Sequence, residues 1–295
     1  MFDAVWVAAT LLTFSALFWG GSAIAGRMAA DTVPPMGLTF WRWLLAFAIL
    51  LPLGGPALWR SRDVAIKRWP WLAFLSVLGM SGFSVPYFYG LQTTTAVNAA
   101  LLNALSPILT LALAVVVLRT RMSILQTAGM LIGLVGAAVI VFHGRLDAIA
   151  ALTVEIGDLL ILIAMAVWAG YTVAIRWKPV DLDPMAFMLA LSGFTIPIMI
   201  PFYALELAEG KTFVPDATSL GIIVYHGVCS SVLAYLCWNQ GVAVVGSARA
   251  SLAQYLIPVF GAVLAMIILG ETLAWYHYAG IVTIFAGIAI ASARR

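Results

Sequence analysis

Two short patterns in this chain could supply a nucleophile and its base. Gly79-Met80-Ser81-Gly82 fits G-x-S-G, and His277-Tyr278-Ala279-Gly280 fits H-x-x-G. A serine hydroxyl in contact with an imidazole cleaves acyl bonds, here as an intramembrane serine protease. Such motifs need geometric support. Ser81 falls near the middle of an apolar segment and His277 at the end of another, so the two are not expected to meet. His226 is the one histidine placed well inside an apolar segment. It could carry protons, or be a buried neutral ring hydrogen-bonded to a neighbour.

A ligand-binding chemistry fits the remaining residues better. No Asp or Glu is expected well inside an apolar segment: Glu155 and Asp158 fall at the start of the sixth, and Glu271 between the last two. A charge buried in lipid costs about 2.5–3.5 kcal/mol. A dicationic ligand and a carboxylate proton relay are therefore disfavoured. Phosphate-bearing ligands want Arg or Lys, and Arg42 alone is a candidate, expected near the outer end of the second segment as a snorkelling interfacial side chain. What remains inside is aromatic and amide. Trp19 and Trp168 form one pair; Tyr87 and Tyr89 follow Pro86; Trp238, Asn239 and Gln240 occupy a similar place later in the chain. Tyr171, Asn98, Asn103, Gln254 and His226 complete the candidate set. Amides hydrogen-bond a carboxylate or ammonium without burying a permanent charge, and aromatic faces stack on apolar side chains. Amides also glue neighbouring membrane helices together, at about 0.6–2 kcal/mol per contact. Nothing in the pattern calls for a metal or a cofactor. The expected partners are a neutral or zwitterionic small molecule and the lipid bilayer. The scattered Lys and Arg form no stripe for nucleic acid.

The elements that position these residues are membrane helices. The 295 residues are 64% hydrophobic and 9% charged, against roughly 25% charged in soluble domains. Apolar runs fall at 5–27, 35–53, 70–90, 96–118, 122–142, 156–177, 184–205, 219–240, 247–269 and 274–292. Each is about 20 residues, enough for a hydrocarbon core of about 30 Å. The first run is too long for a signal-peptide core and has no basic residue before it, so it reads as a span. Cys229 and Cys237 are separated by about 12 Å of helix at 1.5 Å per residue, too far to bridge.

With the N-terminus cytoplasmic, the inner loops and tail hold Arg60, Arg62, Lys67, Arg68, Arg119, Arg121, Arg176, Lys178, Arg249, Arg294 and Arg295. The outer side holds Arg27, Arg42, Arg145 and Lys211. Basic residues favour the cytoplasmic face, so both termini are expected there. The two halves also repeat. Trp19-Gly20-Gly21 through Arg27 aligns with Trp168-Ala169-Gly170 through Arg176, and Pro35-Met36 with Pro184-Met185. Gly90–Gly136 aligns without gaps onto Gly241–Gly287, pairing Pro107 with Pro258, Gly129 with Gly280, Leu118 with Leu269 and Asn103 with Gln254. Five spans per half is odd, so the units at 1–145 and 146–295 are expected to be inverted relative to each other. Inverted repeats place a transporter's site on their shared interface.

Ten helices, two five-helix halves, a Trp-Gly motif in the first, a Pro in the fourth helix of each half and Leu269-Gly270-Glu271 before the last resemble the drug/metabolite transporter superfamily. Within it the match is to the EamA type, most like bacterial aromatic amino acid exporters. The resemblance implies an all-α integral membrane fold in a bacterial inner membrane, with no enzymatic activity. It also implies export of metabolites or amino acids by alternating access through a central cavity. Arg119-Thr120 departs from the Gly-Glu pair of the second half. Reporter tags near Arg145 and at the C-terminus are expected on opposite faces of the membrane, the C-terminal one cytoplasmic. Both tags on one face would remove the inverted repeat.

Overall fold

In lipid no water is at hand for the backbone, so every N–H and C=O must be satisfied within the chain, which favours helices. The computed structural model describes residues 2–29, 32–121, 123–145 and 155–292. Asp31, position 146 and the tail residues Arg294 and Arg295 lie outside the described residues. Among the described residues, ten helices are long and apolar enough to span a bilayer: α1 (Ala4–Gly26), α2 (Pro35–Arg60), α3 (Trp69–Leu91), α4 (Asn98–Leu118), α5 (Ile124–Val141), α6 (Ile156–Trp177), α7 (Pro184–Ala208), α8 (Ala217–Val245), α9 (Ser247–Leu269) and α10 (Trp275–Ser292). A short helix, Arg62–Lys67, joins α2 to α3.

Local chemistry sets the ends. Pro35 and Pro184 open α2 and α7, where a missing N–H is harmless. Asp183 accepts the Met185 N–H at 2.9 Å. Ser123 and Gln126 form a reciprocal cap on α5, at 3.2 and 3.0 Å. α7 runs past its expected end at 205. Its last turn therefore carries a buried carboxylate beyond the span expected from the sequence: Glu206 accepts the N–H groups of Met36 and Gly37, at 3.0 and 2.7 Å. It neutralises the free donors at the start of α2.

The halves pack with one pattern under exchange. α5 lies against α10 and α2 against α7; α1 lies against α8 and α9, as α6 lies against α3 and α4. Glycines fix the first two contacts. A Cβ on Gly129 would strike the Gly287 backbone, and one on Gly136 would strike that of Gly280. A Cβ on Gly54 would strike Met185 and Ala186, and one on Gly37 would meet Tyr203. In each pair, rising numbers on one helix meet falling numbers on the other, so counterpart helices run antiparallel. Gly129 and Gly136 align with Gly280 and Gly287, so the contacts are those a two-fold axis between α5 and α10 requires.

Four helices are interrupted at matching places. α3 holds a π-helical turn at Val77–Ser81 and α8 a longer one at His226–Leu233. α4 breaks at Leu105, two residues before Pro107; α9 tightens to a 3-10 turn at Ser251–Tyr255, just before Pro258. Arg119 ends α4 in the left-handed conformation, φ 52°, as Gly270 ends α9 at φ 69°. The backbone requirement is thus retained where the Gly-Glu motif is not, with Arg119 strained by roughly 1–2 kcal/mol.

Overpacking a tight helix contact costs about 1–3 kcal/mol or more. Gly129→Leu is expected to lower the thermal midpoint of the solubilised protein by several degrees. Gly221→Leu, at a position with open space around it, is expected to leave it within a degree or so of wild type.

Candidate functional site

Three tryptophans meet where the halves face each other. Trp19 of α1 lies edge-on to Trp168 of α6, with centroids 5.2 Å apart, and 5.4 Å from Trp238 of α8; Trp168 and Trp238 are 5.6 Å apart. Tyr235, one helical turn before Trp238, touches Trp19, Trp168 and Trp43 at 5.8, 5.6 and 5.2 Å. Phe83 and Tyr87 extend the cluster along α3: Phe83 lies 5.8 Å from Trp168 and stacks on Tyr87 at 5.2 Å. Edge-to-face pairs of this kind add about 0.5–1.5 kcal/mol each beyond buried area. Tyr171 closes the far side, 5.5 Å from Trp168, and donates its hydroxyl to Asn239 Oδ1 at 2.9 Å.

The π turns place these rings. In α3 the turn precedes Phe83, and Gly79 within it lets the Tyr171 ring lie against the backbone. The Tyr235 hydroxyl donates to the Gly79 carbonyl at 2.5 Å. In α8, Trp19 donates its Nε1–H to the Ser230 carbonyl at 3.2 Å. Each widened turn thus takes an aromatic side chain from the other half of the chain as its hydrogen-bond partner.

The structure brings some of the sequence candidates together and not others. Trp19, Trp168, Trp238, Tyr171 and Tyr87 belong to the cluster, and Asn103 donates to the Tyr87 hydroxyl at 3.1 Å. Tyr89 and Gln240 are exposed. Each lies two residues, about 200° of helix, past a cluster member and so projects from the opposite face. Asn98 is tied at the helix ends, where it and Thr94 both donate to the Asp158 carboxylate, Asn98 at 2.9 Å. Gln254 is buried in the tight turn of α9, with no acceptor for its Nε2–H groups. His226 is buried, its Nδ1 3.1 Å from Ser22 Oγ. Ser81 and His277 form no dyad: the Ser81 hydroxyl is unpartnered, and His277 Nδ1 accepts the Ala274 N–H at 3.0 Å.

Trp43, Phe83 and Tyr235 were not singled out from the sequence. Tyr235 and Phe83 stand three and four residues before Trp238 and Tyr87, the spacing of one helix face, so periodicity carried the signal. Arg42 requires a correction. It does not snorkel at an interface; it is buried among α2, α3 and α8, with Nη2 donating to Ser84 Oγ at 3.0 Å. The snorkelling expectation assumed a free path to water, which the packing of α2 against α8 closes.

A cavity of about 290 Å³ opens among the ends of α4, α6 and α8 and the starts of α5 and α9, lined by Arg121, Arg176 and Arg249 with Thr120 and Gln126. Three guanidinium groups at one mouth concentrate anions there. Among the described residues no cluster of His, Cys, Asp and Glu could hold a metal.

The EamA-like transporter family model matches the chain twice, over residues 6–142 and 155–293. The chain belongs to the EamA-like transporter family. This EamA-like transporter is 29% identical over 292 residues to the uncharacterized transporter YyaM of Bacillus subtilis, covering 96% of this chain and 92% of that one. It is 28% identical over 294 residues to an uncharacterized transporter of Archaeoglobus fulgidus, covering 97% of each. A probable terminal-alkyne amino-acid exporter of Streptantibioticus cattleyicolor is 26% identical over 272 residues, covering 91% and 86%. A crystal structure of a protein at 21% identity superposes with a TM-score of 0.80 over 97% of this chain and 96% of that one, and shares the fold. The protein is thus a multi-pass membrane transporter.

Trp168 touches five rings of the cluster. Trp168→Ala is expected to reduce transport at least tenfold in proteoliposomes. Trp71→Ala, at the start of α3 where Trp71 bonds the Lys178 carbonyl, is expected to stay within twofold of wild type.

Proposed function

We propose that this EamA-like transporter exports neutral amino acids, aromatic ones foremost, from the cytoplasm across a bacterial inner membrane. The observation that carries the reading is the Trp19–Trp168–Trp238 cluster with Tyr235 and Tyr171, assembled from both halves. Rings that pack edge to face on one another offer the same surfaces to an aromatic or apolar side chain. The relative named as a probable amino-acid exporter supports the substrate class.

Two units, residues 1–145 and 146–295, work by alternating access with both termini cytoplasmic. Antiparallel packing of α2 on α7 and of α5 on α10 supports opposite topology for the two units. Exchange of conformation between inverted units turns an inward path into an outward one. The three-arginine cavity lies at the basic, cytoplasmic end and draws in solutes that carry a carboxylate.

Flux of labelled amino acids in proteoliposomes, competed against a panel of metabolites, checks the reading. Saturable movement of phenylalanine, tyrosine or tryptophan, displaced by one another, is the expected outcome. Flux of a nucleotide sugar with none of any amino acid would overturn it.

A further inference from the structure

Arg42 is a cation in the wrong place for packing alone. It sits in the third turn of α2, 8% exposed. Its guanidinium carbon lies 5.4 Å from the Trp43 ring centroid, and Nη2 donates to Ser84 Oγ. Its Nε has no partner, and no carboxylate pairs with it among the described residues. A guanidinium brings five N–H donors and no acceptor. Burying one without a counter-ion is expensive, and a charged side chain inside a membrane protein marks a functional site by default.

The fold does not need this charge. In the register that aligns Pro35-Met36 with Pro184-Met185, Arg42 corresponds to Leu191, which is fully buried on α7. An apolar side chain thus serves the same packing position in the other half.

The neighbours of Arg42 lack acceptors too. The Nε1–H groups of Trp43 and of Trp238, in the adjoining cluster, are buried without acceptors. Tyr235 and His226 lie within electrostatic reach of the guanidinium. Indole N–H groups only donate, so this layer holds an excess of donors that a group with two acceptor oxygens would match. Tyr235 also joins Arg42 to the aromatic cluster, since its ring touches Trp43, Trp19 and Trp168. A cation and an aromatic surface therefore share one side chain as their boundary.

We propose that Arg42 is a carboxylate-binding residue: a substrate docks its carboxylate on the guanidinium while its apolar or aromatic end lies against Trp19, Trp168 and Trp238. The inference rests on the amino-acid reading for the rest of the substrate, and on the buried guanidinium for its acidic group. Arginine binds a carboxylate through two parallel N–H groups, which lysine cannot reproduce.

Intrinsic tryptophan fluorescence of the purified full-length protein tests this with three matched probes: phenylalanine, phenethylamine, which lacks the carboxylate, and 3-phenylpropionate, which lacks the ammonium. Phenylalanine and 3-phenylpropionate are expected to saturate the signal, and phenethylamine to bind at least tenfold more weakly. Arg42→Gln is expected to raise the half-saturating concentration of both carboxylates at least tenfold, and Arg42→Lys to recover part of the loss. The wild-type comparison of acid with amine stands even where a variant fails to fold. Equal binding of all three probes, no binding of any, or an unchanged titration for Arg42→Gln would each overturn the proposal. Arg42-dependent binding of 3-phenylpropionate without phenylalanine binding or flux keeps the carboxylate site and sinks the amino-acid reading. Amino-acid flux undiminished by Arg42→Gln keeps that reading and sinks the site.

Discussion

Close antiparallel contact between counterpart helices holds this molecule together. Inside a bilayer, apolar side chains gain little by leaving lipid for protein, so helices associate where small residues let backbones touch. Gly129 and Gly136 do this against Gly287 and Gly280, and Gly54 against Met185 and Ala186. Both contacts join the halves. They fix the symmetry axis, and that axis sends α1 to α8 and α9 and α6 to α3 and α4. The cluster around Trp168 forms because α1, α6 and α8 then converge.

The spans were legible because the lipid constraint acts on composition. A run of about 20 apolar residues has few other fates, and the ten expected runs correspond to the ten helices. The glycine and proline pairs that revealed the repeat are the residues at the tight contacts and breaks, Gly129, Gly136, Pro107 and Pro258. A side chain at either glycine would meet a backbone, and each proline stands beside a helix break. The site was legible in part. Trp19 and Trp168 stand out because each precedes an Arg by eight residues at matching places in the two halves. Tyr89 and Gln240 lie outside the cluster because residues two apart on a helix face opposite ways.

Two features left no trace in the local sequence. The π turns have no composition of their own, since Val77–Ser81 and His226–Leu233 would suit an ordinary helix. They exist because tertiary partners occupy their carbonyls: Tyr235 at Gly79 and Trp19 at Ser230. The burial of Arg42 likewise depends on where α8 packs, not on the residues beside it. The symmetry is closest in the backbone, as Arg119 and Gly270 share one conformation, and weakest in the polar side chains. The two halves share a backbone frame and differ in the polar side chains it carries.

The widened turn of α3 acts as a phase shifter. An ordinary helix advances about 100° per residue, and a π turn accommodates one residue beyond that rhythm. The stretch Trp69–Ser76 and the stretch Gly82–Leu91 are therefore rotated out of step by one such increment. Loss of a single residue there would leave a regular helix with both stretches facing as they do now, whereas winding the turn into α-helix with every residue kept would swing the second stretch by about 100° around its axis. Phe83 would then leave Trp168 and Tyr87 would leave Asn103, with the chain still helical from end to end.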